Sequence, residues 1–437
     1  MTAVALTQDG GQVEAAPVAA AGKTTAVSGD FNGDGLRDSA NASQQGKIDG
    51  QDLAGFVTVV YSKPGGPDAA SRQIISAKSL GLPAGTHFGT MELVSADFDG
   101  DGYADLVATS GIAAKTKVVI VYGGAKGLTT RKAVLTVPDA REARTGDFNG
   151  NGRPDLLVRS GPRAYLTYLD VGAKPGAGVR TAVEGPAVTG LLQPVVGDFN
   201  GDRRDDFAVV VAKDDGDSDD VPYWAELRLG TAKGLGARKV YAPKGGKGMG
   251  YEAASGDVNG DGKADLVTVD VRAPKRVAVR LGTATGLAAP AYVGFGGHSF
   301  NRGISVGDIN GDGKADVSVS VPTMGDGNGP LDSAAVLYGS ASGLTNKGAQ
   351  LFDQNTPGVP SEPGDHDGFG WQTRLADLDG DGLAEFTTGA QNNEDEGRIF
   401  FFKGTRSGVA TKGVISFSTR DLRIFGRTAE LGGSLLH

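Results

Sequence analysis

Short runs of alternating apolar and polar residues recur along the chain. LVATS at 106–110, LLVRS at 156–160, FAVVV at 207–211, LVTVD at 266–270, VSVSV at 317–321 and FTTGA at 386–390 each span about five residues. A second set of short runs precedes each of these by about nine residues: MELVSA, EARTG, QPVVG, EAASG, ISVG and TRLA, with TTAVSG at 24–29 as an earlier example. Period two over so few residues predicts strands. The segment between the two runs is acidic and glycine-rich, so each predicted pair is a hairpin.

That acidic segment repeats seven times. It reads DFNGDGLRD at 30, DFDGDGYAD at 97, DFNGNGRPD at 147, DFNGDRRDD at 198, DVNGDGKAD at 257, DINGDGKAD at 308 and DLDGDGLAE at 377. Start-to-start spacings are 67, 50, 51, 59, 51 and 69 residues. A second signature follows most copies: YGGAKGL at 122, LGTAKGL at 229, LGTATGL at 281, YGSASGL at 338 and KGTRSGV at 403. The first and third units depart from it, with YSKPGGP and YLDVGAKPG. This turn predicts a second hairpin, so each unit holds four antiparallel strands.

Four-stranded units repeated at this period predict an all-β chain, a seven-bladed β-propeller over residues 23–437 preceded by an N-terminal segment at 1–22. Connections between units are too short and apolar for modules on a string. Ring closure has two readings. The tail at 423–436 contains FGRTAEL, which echoes FGWQTRL at 369–375, and the stretch near 12–20 could pair instead. Either would hide an open sheet edge.

Composition agrees. Gly is 71 of 437 residues, which suits many tight turns, and no Gly-X-Y period accompanies it. Cys is absent, which excludes disulfides, thiolate metal sites and cysteine nucleophiles. No run of eighteen apolar residues exists, so no membrane span is expected. Residues 2–22 lack the basic-then-apolar order of an export signal. Met1 is read as replacing a removed signal, which places the protein outside the cell.

The acidic segments carry the chemistry. Side-chain oxygens at positions one, three, five and nine, with the carbonyl of position seven, form a hard-oxygen set suited to Ca2+. The first loop offers Asp30, Asn32, Asp34, Leu36 and Asp38; the second Asp97, Asp99, Asp101, Tyr103 and Asp105. The third offers Asp147, Asn149, Asn151, Arg153 and Asp155; the fourth Asp198, Asn200, Asp202, Arg204 and Asp206. The fifth offers Asp257, Asn259, Asp261, Lys263 and Asp265; the sixth Asp308, Asn310, Asp312, Lys314 and Asp316. The seventh offers Asp377, Asp379, Asp381, Leu383 and Glu385.

An EF-hand is excluded. Position twelve holds Asn41, Ala108, Val158, Val209, Thr268, Val319 and Thr388, none of them Glu, and the flanks are strands. The third loop, with Asn151 in place of an acid, is expected to bind weakest. Arg203 replaces a turn glycine in the fourth and should strain it, with Asp205 compensating.

The net charge of −9 changes meaning once sorted. Of 52 acidic residues, 22 sit at these ligand positions, leaving 30 against 43 Lys and Arg elsewhere. The remaining surface is therefore basic, which suits an acidic partner.

These loops, with Phe-Gly at 88–89, 369–370 and 425–426 and the Gly-Leu turns, resemble FG-GAP (or VCBS) repeats. Such repeats build the propeller of integrin α-subunits and many exported bacterial proteins. The resemblance implies bound Ca2+, up to seven ions, and recognition of partners on one face.

Both hairpin types belong to one rim on this topology. Length variation falls on the other, at 39–55, 213–222, 322–332, 355–367 and 391–397, where recognition is expected. The chain is read as a binding or adhesion module for a protein or glycan on that face, with no nucleic acid. A polysaccharide lyase or hydrolase, or an accessory subunit of a secreted assembly, is the alternative. No catalytic set is assigned. GISVG at 303–307 matches G-x-S-x-G but occupies a first-strand slot, where a nucleophile elbow cannot form. Trp224 and Trp371 are expected to be buried between blades. His366 is expected to be an ordinary surface histidine, and KDDGDSDD at 213–220 a solvated loop.

Overall fold

The computed structural model describes residues 26–436 apart from 44–45, 49–50, 54, 84–85, 111–115, 162–163, 173–178, 185–191, 213–222, 243–251, 271–275, 296–302, 322–331, 361–366, 391–396, 426–430 and 432–434. The described residues contain strands and turns and no helix. They therefore include no helix long and apolar enough to cross a membrane.

Among the described residues, besides a small three-stranded sheet that takes in Ile424–Phe425 and two two-stranded ones, seven sheets follow one another along the chain, six of four strands and one of three. The second is typical. Phe88–Ala96, Asp105–Ser110, Lys117–Val121 and Lys132–Leu135 pair in chain order, all antiparallel. The acidic segment is the connection between the first and second strands in every four-stranded sheet. The first sheet has only Ser39–Ser43, Phe56–Lys63 and Gly66–Ser76. The run expected as its leading strand, TTAVSG, shows a turn over its described residues.

Core formation explains the composition of the central strands. In the third sheet Leu156 and Val158 pack toward the second sheet, while Leu157 packs toward the fourth with Val209 and Val211. Both faces of the strand are buried, so it is apolar at nearly every position. Seven core clusters result, one between each consecutive pair of sheets, and the last joins the seventh sheet to the first. The packing thus returns on itself.

The C-terminal tail makes that return possible. Ile424–Phe425 pairs with Gly46–Ile48, and Leu435 bridges Asn41. The Leu436 amide donates to the Ala40 carbonyl at 2.9 Å. Asn41 stands at position twelve, where the second sheet pairs Ala108 with Leu93 of its leading strand. Leu435 therefore fills the register slot that the first sheet lacks. The alternative closing strand near 12–20 lies outside the described residues.

Candidate functional site: the seven acidic loops

Each loop is wound around its first carboxylate. Asp308 Oδ1 accepts the Gly311 amide at 2.7 Å, and Oδ2 accepts the Gly313 amide at 2.9 Å. Asp312 Oδ1 accepts the Lys314 amide at 2.9 Å. The same bonds recur in the other six loops, from Asp30 to Gly33 and Gly35 through Asp377 to Gly380 and Gly382. Positions four and six take positive φ, which glycine adopts without strain. Arg203 takes φ 68° at position six of the fourth loop, so the expected strain is present.

The closing acid does something spacing alone did not show. Asp316 is fully buried, and its two oxygens accept the Ile309 amide at 3.0 Å and the Gly339 amide at 2.9 Å. The first amide lies in its own loop; the second lies just past the third strand. Asp105, Asp206 and Asp265 repeat this pair of bonds with Gly123, Gly230 and Gly282. The closing acid is thus a staple between the two turns of a unit. Burial raises its carboxyl above the ordinary range, to about 7 for Asp38, Asp155, Asp206, Asp316 and Glu385 and about 8 for Asp105. Neighbouring loop carboxylates add to the rise, and the backbone amides oppose it.

A further link joins neighbouring loops. The position-eight amide donates to the position-one carbonyl of the preceding loop: Ala104 to Asp30, Ala264 to Asp198, Ala315 to Asp257 and Ala384 to Asp308, at 2.7–2.8 Å. The glycine that opens the second turn lies against this link. A Cβ on Gly339 would stand 2.6 Å from the Ala315 carbonyl and 2.8 Å from the Val258 carbonyl. The two sequence signatures are therefore parts of one structure. The signal was present in the small residue at position eight. Pro154, which has no amide to give, occupies that position in the third loop.

Asp205 departs from expectation. Its carboxylate accepts the Asp147 amide at 2.8 Å, so it serves the third loop and does not compensate for Arg203 in its own.

The loops differ in how closely their acids meet. Ligand oxygens of Asp97, Asp99 and Asp101 lie within 4.8 Å of one another, as do those of Asp377, Asp379 and Glu385. These two loops carry an acid at position three where the others carry Asn. Each also has one buried carboxylate oxygen without a hydrogen-bond partner, Asp99 Oδ1 and Glu385 Oε1. A basic residue from the same unit faces each cluster. Arg131 pairs with Asp99, and Lys403 pairs with Asp379 at 2.6 Å and Asp381 at 3.1 Å. In the third loop the Asn151 side chain donates to Asp170 at 2.6 Å.

Residues outside the loops sort as follows. Ser305 is buried in the strand Ile304–Gly307, where its Oγ accepts the Leu375 amide at 3.0 Å; the GISVG match is structural. Trp224 is half-buried and donates to Glu226 at 2.9 Å. Trp371 is 43% exposed, contrary to the expected burial; it lies where the pairing of Phe369–Ala376 with the next strand is interrupted between Phe369 and Thr373. His366 and the 213–220 loop lie outside the described residues.

Residues 97–158, 147–209 and 257–319 match the FG-GAP-like repeat family. Over 165 residues the chain is 32% identical to integrin alpha-PS3 of Drosophila melanogaster, covering 34% of this chain and 14% of that protein. The chain thus spans only a small part of that relative's length. Among solved structures, a mutant of AofleA from Arthrobotrys oligospora aligns with TM-score 0.41 and 12% identity over 72% of this chain and 83% of its own. A rhamnogalacturonan lyase of Bacillus licheniformis aligns with TM-score 0.27 and 11% identity over 86% and 73%. At these scores neither bears on function.

Proposed function

We propose that this chain, an FG-GAP-repeat protein similar in part to an integrin α-subunit, is a calcium-loaded binding module built as a seven-bladed β-propeller over residues 23–437. The N-terminal segment at 1–22 precedes it in sequence. The protein works outside the cell, where millimolar Ca2+ can occupy its loops. Its partner, a protein or a glycan, binds the rim opposite the acidic loops.

The observation that carries the calcium reading is the pair of buried, unpartnered oxygens, Asp99 Oδ1 and Glu385 Oε1, each inside a cluster of three converging acids. A buried carboxylate oxygen left without a donor is unfavourable, and a hard cation is the group that oxygen-only clusters of this kind accommodate. Oxygens elsewhere in the loops that accept one amide keep a second lone pair for a ligand. The residues that would hold the ion are positions one, three, five and nine of each loop, with the position-seven carbonyl. The ion would supply charge neutralisation of the clustered acids. Loops two and seven are the strongest sites, and the third, with two carboxylates, is the weakest.

The module reading follows from how the loops are used. Their side chains and amides are committed to one another and to the next loop, so that rim is a girdle. Recognition is thereby left to the opposite rim.

Metal analysis after equilibrium dialysis tests the first part, comparing the natural chain with Asp99→Asn/Asp379→Asn. Bound calcium is expected, with loss of the tightest sites in the variant. A melting temperature that excess chelator leaves unchanged would overturn it, because an ion bound only by the folded state must stabilise that state. A glycan and cell-wall polysaccharide array, probed in millimolar calcium and again in chelator, tests the second. A blank array from folded protein directs the search to protein partners.

A further inference from the structure

The leading strands of six sheets line a half-open cavity of about 410 Å3. That volume lies within the roughly 300–1,000 Å3 of small-molecule sites. Its wall carries four polar side chains that make no hydrogen bond or ion pair with the protein among the described residues: Thr145 on the third sheet, Gln193 on the fourth, and Gln372 and Arg374 on the seventh. They are conspicuous because the other arginine of the wall is fully engaged. Arg144 pairs with Glu92 and donates to the Pro194 carbonyl and the Ala143 carbonyl at 2.8 Å. The remaining wall carboxylate, Glu252, stands on the fifth sheet and does not pair with Arg374.

Arg374 is also crowded by like charge. Burial, with smaller contributions from Arg37 and Arg144, lowers its guanidinium to about 10. It stays charged at neutral pH, facing two cations and no carboxylate partner. A planar guanidinium in this position is matched by a carboxylate, which takes two parallel N–H bonds. Amides on either side can both donate to and accept from hydroxyl groups.

We infer that this cavity binds a sugar acid, with Arg374 taking the carboxylate and Gln193 and Gln372 taking hydroxyls. The inference rests on the binding-module reading and names the ligand class for it. It concerns a site distinct from the acidic loops and requires no ion in them beyond what keeps the chain folded.

The test is calorimetric titration of the full chain, in millimolar calcium, with galacturonate and glucuronate oligomers and with neutral oligomers of the same length. The acidic oligomers are expected to bind, and the neutral ones to bind at least about tenfold more weakly. Arg374→Met should weaken the acidic oligomers by about tenfold or more, with Arg374→Lys recovering part of the loss. Gln372→Ala, which leaves the charge in place, should give a smaller loss for both sets. Melting curves of each variant confirm that it folds. Equal affinity for acidic and neutral oligomers would overturn the inference, as would acidic-oligomer binding unchanged by Arg374→Met. An acidic peptide that depends on Arg374 where sugar acids do not bind would overturn the ligand class. Partner binding that survives Arg374→Met but is lost on changing Trp371 sinks the cavity site and leaves the module reading standing. Failure of every partner at both places removes that reading as well.

Discussion

Asp316 and Asp312 belong to the same loop and would be equivalent if both acted only as ligands. The structure makes them different. Asp316 is fully buried and accepts two backbone amides, from Ile309 and Gly339. Asp316→Ala leaves both amides without an acceptor in a buried place. Each unsatisfied amide costs about 1–3 kcal/mol, so the substitution should cost about 2–6 kcal/mol whether or not calcium is present. Asp312 has a side chain 43% exposed and holds one local amide and a Lys314 contact at 3.5 Å. Asp312→Ala should cost less than about 1 kcal/mol in chelator, where only a solvated turn is weakened. In calcium it should cost more, because a ligand is gone. Urea unfolding midpoints of the two variants, each in calcium and in chelator, separate the roles. If the two variants lose the same stability in chelator, the closing acid is a ligand alone and the staple argument fails.

Three other outcomes are expected. In chelator the buried closing aspartates favour their neutral form: their folded values of about 6 to 8 lie above the ordinary 3.8, so the stability they contribute is fully present at low pH and lost as pH rises through 6 to 8. The calcium-free protein should therefore melt lower at pH 8.5 than at pH 5.5, and a melting temperature that rises over this range would contradict the burial argument. Gly339→Ala drives a Cβ against two carbonyls and should cost about 1–3 kcal/mol, whereas Gly313→Ala meets open space and pays only for its φ of 79°, about 1–2 kcal/mol; thermal denaturation of the pair should rank them in that order, with a larger fall in sixth-loop calcium affinity for Gly339→Ala. Leu431→Ala should cost about 2–5 kcal/mol, since this fully buried tail residue packs in the cluster joining the seventh sheet to the first; a loss below about 0.5 kcal/mol by chemical denaturation would mean that the tail does not close the molecule.

The strands, hairpins and acidic loops of this protein are legible in its sequence because they are local. Period-two runs, positive-φ glycines and alternate oxygens act over fewer than ten residues, and seven copies make each signal unmistakable. The tail was legible as a closing element through its FGRTAEL echo, but the match of Leu435, beyond that echo, to the empty slot beside Asn41 was not, since two partners nearly four hundred residues apart cannot be paired by local pattern. The reach of Asp205 into the preceding loop was misassigned for the same reason: adjacency in sequence suggested its own loop, and packing of neighbouring sheets decided otherwise. Trp371 shows the limit for single side chains, because apolar character favours burial while an interruption of the strand pairing at this residue, which no local pattern announces, leaves the ring in water. The sequence by itself determined the hairpins and acidic loops of the four-stranded sheets. The tertiary structure decided which amides the closing acids hold, how the ends meet and which arginine is left without a carboxylate in the cavity, because each depends on residues brought together only when consecutive sheets pack.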